Sequence, residues 1–312
     1  MQHPIEGFLA TQPALILDGA LATELERRGA DLCDPLWSAK LLIEEPALIQ
    51  AVHLDYFAAG ADVATTATYQ ATFSGFMGRG LGRDAAARLL HDAVGLAVAA
   101  RDEFWSAAAN RSGRRRPLVA ASIGPYGAML ADGSEYRGHY AASDAELRDF
   151  HAARLDVLAR SGADLLACET LPCLREAVIL AELLREYAPL TAWLCFSCQD
   201  AARNCEGEDV AVCAGALRGF DQVAAIGVNC TAPQFVAGLL KRMAGATDKP
   251  LLAYPNSGER YEPAAKSWGS GEIAPPFAAL AKEWLAAGAR LIGGCCRTTP
   301  DDIRAIRAAV MR

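Results

Sequence analysis

The chain is 312 residues long, 52% hydrophobic, 21% charged and 7% aromatic, with a formal net charge of −7. That apolar content excludes a mostly disordered chain, and no stretch approaches the roughly 18 apolar residues of a spanning helix, so no membrane partner is expected. The acidic balance argues against nucleic acid as a partner.

The amino-terminal stretch MQHPIEGFLATQPALILDGA has no basic region and no apolar run of useful length. No secretory signal is expected, and the setting is expected to be cytoplasmic. Short apolar runs that suit buried strands follow near Leu15–Leu17, Val63–Thr65, Leu118–Ser122, Leu165–Ala167, Ala192–Phe196, Ala224–Val228, Leu251–Tyr254 and Leu291–Gly293. Between them lie longer segments with helical spacing, among them Ala85–Phe104, Asp144–Arg160 and Arg175–Tyr187. Strands alternating with helices imply parallel β/α units, because parallel neighbours need a crossover. The one basic cluster, Arg111 with Arg114, Arg115 and Arg116, suits a solvated loop better than an anion site.

One phrase recurs: AAGADVATTATY from Ala58, RSGADLLACET from Arg160 and AAGARLIGGCC from Ala286. Each has a helix end, a glycine (Gly60, Gly162, Gly288) placed for the left-handed residue that closes a helix, and a buried strand. At the end of the chain Thr299 is positioned to cap a helix that opens on Pro300, Asp301 and Asp302. The pattern predicts a single (β/α)8 TIM-type barrel over residues 1–312, with its chemistry at the C-terminal strand ends; an open doubly wound sheet is the alternative.

Ten cysteines stand out. In a reducing compartment such thiols are buried small hydrophobes, metal ligands or nucleophiles. Cys295 and Cys296 are adjacent and follow the last strand. A bridge between neighbours closes a strained ring, whereas two thiolates can share a metal, with Gly293 and Gly294 letting the backbone come close. Cys230 ends the sixth strand on the same barrel face. Three thiolates with an open fourth position describe a catalytic zinc site; the alternative is three buried cysteines at strand ends. Cys195 and Cys198 form a C-x-x-C without a second pair. Those two, with Cys33, Cys173, Cys205 and Cys213, are expected to be structural. Cys168 should alternate away from Glu169 on its strand. No dinucleotide or phosphate-loop fingerprint is present.

The chain resembles the homocysteine S-methyltransferases, and most closely the S-methylmethionine-dependent type. The resemblance runs through LDGALATELERRG, DPLWSAK, HLDYFAAGAD, TATYQAT, SIGPYGAMLADGSEYRG, ADLLACETLP, GVNC, YPNSGERY and GARLIGGCCRTTPDDI. It implies a barrel with one Zn²⁺ per chain, held by Cys230, Cys295 and Cys296. Carboxylates at the matching positions of the related betaine-dependent enzymes hold the amino group of homocysteine, a role that would fall to Asp18 and Glu169. Tyr69, Asn229 and Tyr254 are implied pocket residues, with Tyr126 and Asn256 as further candidates. Trp37 and Trp268 could face a sulfonium, though packing is the commoner role of a tryptophan, and His53 suits a structural role.

The implied activity is methyl transfer from a sulfonium, S-methylmethionine or S-adenosylmethionine, to a zinc-bound homocysteine thiolate, giving methionine. The implied partners are therefore homocysteine and S-methylmethionine; no feature sets an oligomeric state. The alternatives are a selenocysteine methyltransferase on the same fold and a zinc-binding thiol sensor or storage protein without methyl transfer.

Overall fold

Eight short strands, buried on both faces as their continuous apolar runs dictate, form the sheet: β1 (Leu15–Ile16), β2 (Val63–Thr65), β3 (Leu118–Ile123), β4 (Leu165–Leu171), β5 (Ala192–Phe196), β6 (Val223–Asn229), β7 (Leu251–Tyr254) and β8 (Ala289–Ile292). This computed structural model describes residues 3–34, 36–262, 267–269 and 275–311. The side chains of 260–262, 267 and 268, Trp268 among them, lie outside the described residues.

All neighbouring strands are parallel, in the order β1-β8-β7-β6-β5-β4-β3-β2. At the seam between β1 and β2 the Asp62 backbone N–H donates to the Ile16 carbonyl at 2.7 Å. The Asp62 carboxylate accepts the Ile16 N–H at 3.1 Å, so one residue draws the first and last strands of the sheet together. The result is a nearly closed (β/α)8 barrel.

Residues of alternating parity separate into two layers. Leu15, Ala167, Trp193, Leu252 and Leu291 fill the barrel interior, and Ile5 and Phe8 plug it from the amino-terminal segment. Their neighbours Ile16, Leu166, Leu194, Ile226 and Ile292 face outward and pack with helix residues such as Leu90, Leu155, Leu180, Leu240 and Ile306. A fully buried leucine or isoleucine contributes about 1.5–3 kcal/mol, so this double layer is the main source of stability.

The helices between strands include Pro46–Ala59 (α1), Arg83–Ser106 (α2), Asp144–Leu158 (α3), Leu174–Leu184 (α4), Val210–Leu217 (α5), Pro233–Ala244 (α6) and Phe277–Ala286 (α7), and Pro300–Val310 (α8) follows the last strand. The three expected helix-closing glycines, Gly60, Gly162 and Gly288, have φ of 113°, 88° and 105°. Helix α8 begins with the expected cap: the Thr299 backbone N–H and hydroxyl both donate to the Asp302 carboxylate, at 2.8 and 2.9 Å. No helix among the described residues is long and apolar enough to cross a membrane.

The arginine cluster is mostly solvated, as expected: Arg111, Arg115 and Arg116 are exposed, and Arg114 alone is partly buried. Arg114 donates to the Phe57 carbonyl at 2.9 Å and to the Ala61 carbonyl at 2.5 Å, and its side chain is mostly buried. Arg115 lies over the Phe8 ring and Arg116 pairs with Asp102 at 2.6 Å. Arg114 is therefore the one of the four that is built into the fold.

Candidate active site

The C-terminal ends of the strands surround a cavity of about 350 Å³. Asp18 follows β1, Thr65 ends β2, Glu169 and Thr170 lie in β4, Cys230 follows β6, Tyr254 ends β7, and Cys295 and Cys296 follow β8; all line it. Because β7 separates β6 from β8, Cys230 reaches the vicinal pair across one strand end.

The three sulfurs lie within 4.8 Å of one another. Cys230 Sγ is 3.9 Å from Cys296 Sγ, and Cys295 Sγ is 3.9 Å from Cys296 Sγ. A tetrahedron with Zn–S bonds of about 2.3 Å has edges of about 3.8 Å, which the two separations to Cys296 match. All three thiols are free. Hydrogen bonding with Cys295 and Cys296 holds the Cys230 thiol well below the ordinary range, while contact with Cys230 pushes its two neighbours up, so negative charge is favoured at Cys230.

Backbone geometry at the site is unusual. Cys230 and Thr170 adopt φ of 46° and 60°, left-handed conformations that side-chain-bearing residues rarely take. Asn229 holds Thr170 there: its Oδ1 accepts the Thr170 N–H at 2.7 Å and its Nδ2 donates to Thr170 Oγ1 at 2.9 Å. Gly293 and Gly294 permit the close passage of β8 past β1. A Cβ on Gly293 would lie 2.6 Å from Leu17 Cβ, and one on Gly294 would lie 2.3 Å from Thr298 Oγ1. The glycines thus make room for β1 and for Thr298, which is a different reason from the expected close approach to a metal.

Two buried carboxylates face this cluster. Asp18 accepts the Thr65 N–H at 2.6 Å and the Thr65 hydroxyl at 3.0 Å, yet burial pushes it up to about 7. Glu169 accepts the Ser122 hydroxyl and, at 3.0 Å, the Tyr254 hydroxyl. Burial, reinforced by the negative charge of Cys230, pushes Glu169 up to about 8. Tyr254 also accepts the Trp193 indole N–H at 3.1 Å and lies 3.1 Å from Cys195 Sγ, which locks its hydroxyl toward Glu169. Both carboxyls are thus pre-positioned but short of positive charge, and a ligand ammonium would supply it.

The remaining expected residues divide. Tyr69 lines the cavity and meets the edge of Trp37, another lining residue, with ring centroids 6.2 Å apart. Asn229 is fully buried behind the wall and acts on Thr170, so it does not line the cavity. Tyr126 packs against Tyr140 and Phe150, and the Asn256 N–H donates to the Thr231 carbonyl at 3.1 Å; neither lines it. His53 is buried in α1, away from the cavity. Cys168 faces the outer layer, opposite to Glu169, as alternation requires. Cys33 is exposed at the cavity mouth, and Cys173, Cys195, Cys198 and Cys213 are buried.

Sequence reasoning missed Thr65, Ser122, Thr170 and Glu135. The first three act through hydrogen bonds across strands, for which a single strand carries no pattern. Glu135 sits in the SIGPYGAMLADGSEYRG segment, and that match was the one available signal.

A family model described as homocysteine S-methyltransferase matches residues 15–310. The chain belongs to the homocysteine S-methyltransferase family. The homocysteine S-methyltransferase YbgG of Bacillus subtilis is 53% identical over 98% of this chain and 97% of its own length. A selenocysteine Se-methyltransferase of Brassica oleracea is 47% identical over 93% of this chain and 87% of its own. The crystal structure of the metallated homocysteine methyltransferase MmuM from Escherichia coli superposes with a TM-score of 0.88 at 46% identity, covering 98% of this chain and 99% of that one. A member of this family is a methyltransferase, and in this one the group among the described residues able to hold a metal ion is Cys230, Cys295 and Cys296.

Proposed function

We propose that this methyltransferase moves a methyl group from S-methylmethionine to homocysteine, giving two molecules of methionine, with one zinc ion held by Cys230, Cys295 and Cys296. The observation that carries the reading is the cluster of three sulfurs within 4.8 Å of one another, opening into a cavity beside two buried carboxyls. When bound, zinc supplies a site that deprotonates a coordinating thiol at neutral pH.

Asp18 and Glu169 hold the homocysteine ammonium, each oriented by its own partners, Thr65 for Asp18 and Ser122 with Tyr254 for Glu169. The homocysteine thiol gives up its proton to solvent, and its sulfur attacks the donor methyl in line. The C–S bond of the sulfonium breaks with its electron pair on the departing sulfur. Sulfonium and thiolate thereby become two neutral thioethers, so no residue need act as a general acid or base. Holding both reactants in one cavity replaces a bimolecular encounter, which can supply several kcal/mol of the barrier reduction. The free cysteines fit a reducing, cytoplasmic setting.

The test is methionine formation by the reduced, zinc-replete protein from S-methylmethionine and homocysteine. Turnover is expected, and no methionine from this pair overturns the reading. Competition with S-adenosylmethionine should give the higher kcat/KM to S-methylmethionine. A selenol acceptor is the second reading, favoured by the similarity to the Brassica enzyme; its mark is a higher kcat/KM for selenocysteine than for homocysteine. A zinc-storage or sensor protein would bind metal and show no turnover with either acceptor.

A further inference from the structure

The cavity is lined by six carboxylates, Asp18, Glu26, Asp31, Asp34, Glu135 and Glu169, and among the described residues by no lysine, arginine or histidine. Five of the six have a place. Asp18 and Glu169 are tied to Thr65, Ser122 and Tyr254. At the mouth, Asp34 pairs with Arg79, Asp31 lies 3.8 Å from the Lys40 ammonium, and Glu26 is exposed to solvent.

Glu135 differs from all of these. It stands in a short 3-10 turn, Ser134–Tyr136, pinned from both sides. Asp132 accepts the Ser134 N–H at 2.9 Å, and the Ser197 hydroxyl donates to the Glu135 carbonyl at 2.9 Å, tying the turn to the end of β5. The backbone is therefore fixed, while Oε2 of the carboxyl is buried with no hydrogen-bond partner among the described residues. Burial pushes this carboxyl up to about 7, and Glu135 lines the same cavity as Cys230, Cys295 and Cys296. A buried carboxylate oxygen without a donor is costly unless a cation completes it.

The reaction proposed above brings such a cation to that place. The homocysteine ammonium is a hydrogen-bond donor and has Asp18 and Glu169. The donor's sulfonium carries a permanent positive charge and no N–H. Its methyl must lie against the acceptor sulfur, hence beside the cysteine cluster. We propose that Glu135 is the counter-charge for the sulfonium of the methyl donor, and so the residue that selects a cationic donor. The inference rests on the proposed function and adds a role for a residue outside it. Because the sulfonium charge is full in the bound donor and dispersing in the transition state, Glu135 stabilises the bound donor at least as well as the transition state, so its loss raises the donor KM and does not lower kcat.

The test is Glu135→Gln in the zinc-loaded full chain, with S-methylmethionine and homocysteine varied independently. Loss of a charge pair at close range in a partly buried cavity is expected to raise the donor KM at least about tenfold. The homocysteine KM and the zinc content should stay at wild-type values, and Glu135→Asp should recover most of the donor affinity. KM does not depend on the fraction of protein that folds, so partial misfolding leaves the readout intact. A donor KM in Glu135→Gln within about twofold of wild type overturns the inference, as do equal rises in both KM values. Wild-type protein that makes no methionine from the pair sinks the proposed function itself, whereas an active wild type with an unmoved Glu135→Gln sinks the inference alone.

Discussion

At Cys230 a thiol, a left-handed backbone and a fully buried asparagine next door are assembled within two residues. Beside it Asn229 fixes Thr170 through two side-chain hydrogen bonds. Serine at any of the three cysteine positions replaces a thiolate by an alcohol that stays protonated at neutral pH and binds zinc poorly. Cys230→Ser, Cys295→Ser and Cys296→Ser are each expected to lose the metal, and activity by more than the 10- to 100-fold typical of an outer-shell change. Metal analysis showing full zinc retention in the three variants would refute the ligand assignment. The cysteines were legible because two are adjacent and the third ends a strand in the same way. Asn229 was legible as a strand-end polar group and misread in direction, since its partner Thr170 is 59 residues away. Glu135 was not legible as a chemical group at all: its placement depends on Ser197, 62 residues on.

For the elements, the eight expected strands all appear, and their short continuous apolar runs are what made them visible. The two largest shifts of a boundary have physical reasons. Strand β4 runs on to Leu171 where polarity predicted its end at Ala167, because Leu171 pairs with Phe196 after a register break past Cys168. That extension puts Glu169 within the strand and so fixes its direction. Strand β8 starts at Ala289, directly after Gly288 closes the preceding helix turn. The tightest demand at this scale is the passage of β8 past β1. Gly293→Ala would set a methyl 2.6 Å from Leu17 Cβ and 2.8 Å from the Asp18 carbonyl oxygen, atoms that can yield only by moving β1. The expected outcome is destabilisation of about 1–3 kcal/mol together with weakened zinc binding. Urea unfolding and metal titration of the variant check it, and a variant with wild-type values in both would show that the strands have slack.

Across the whole molecule, buried titratable groups tilt stability against pH in opposite directions. Asp18 and Glu169, raised from 3.8 and 4.5 to about 7 and about 8, bind protons more tightly when folded. Their contribution is therefore full in acid and lost as pH rises from about 4 to about 8. His53 acts the other way. It is completely buried in α1, neither ring nitrogen has a hydrogen-bond partner among the described residues, and burial pushes it down from 6.5 to about 4. The unfolded chain takes up a proton there that the folded chain refuses, so stability falls as pH drops from 6.5 toward 4. Between pH 7 and pH 5 this single group accounts for a loss of about 2 kcal/mol. His53→Leu, close in volume and without a titrating nitrogen, is expected to remove that loss while leaving methyl transfer unchanged, because the residue lies outside the cavity. Urea unfolding of both proteins at the two pH values measures it. The difference in unfolding free energy between pH 7 and pH 5 should shrink by about 2 kcal/mol in the variant. An unchanged difference would mean that His53 gains its proton without unfolding, through water reaching α1.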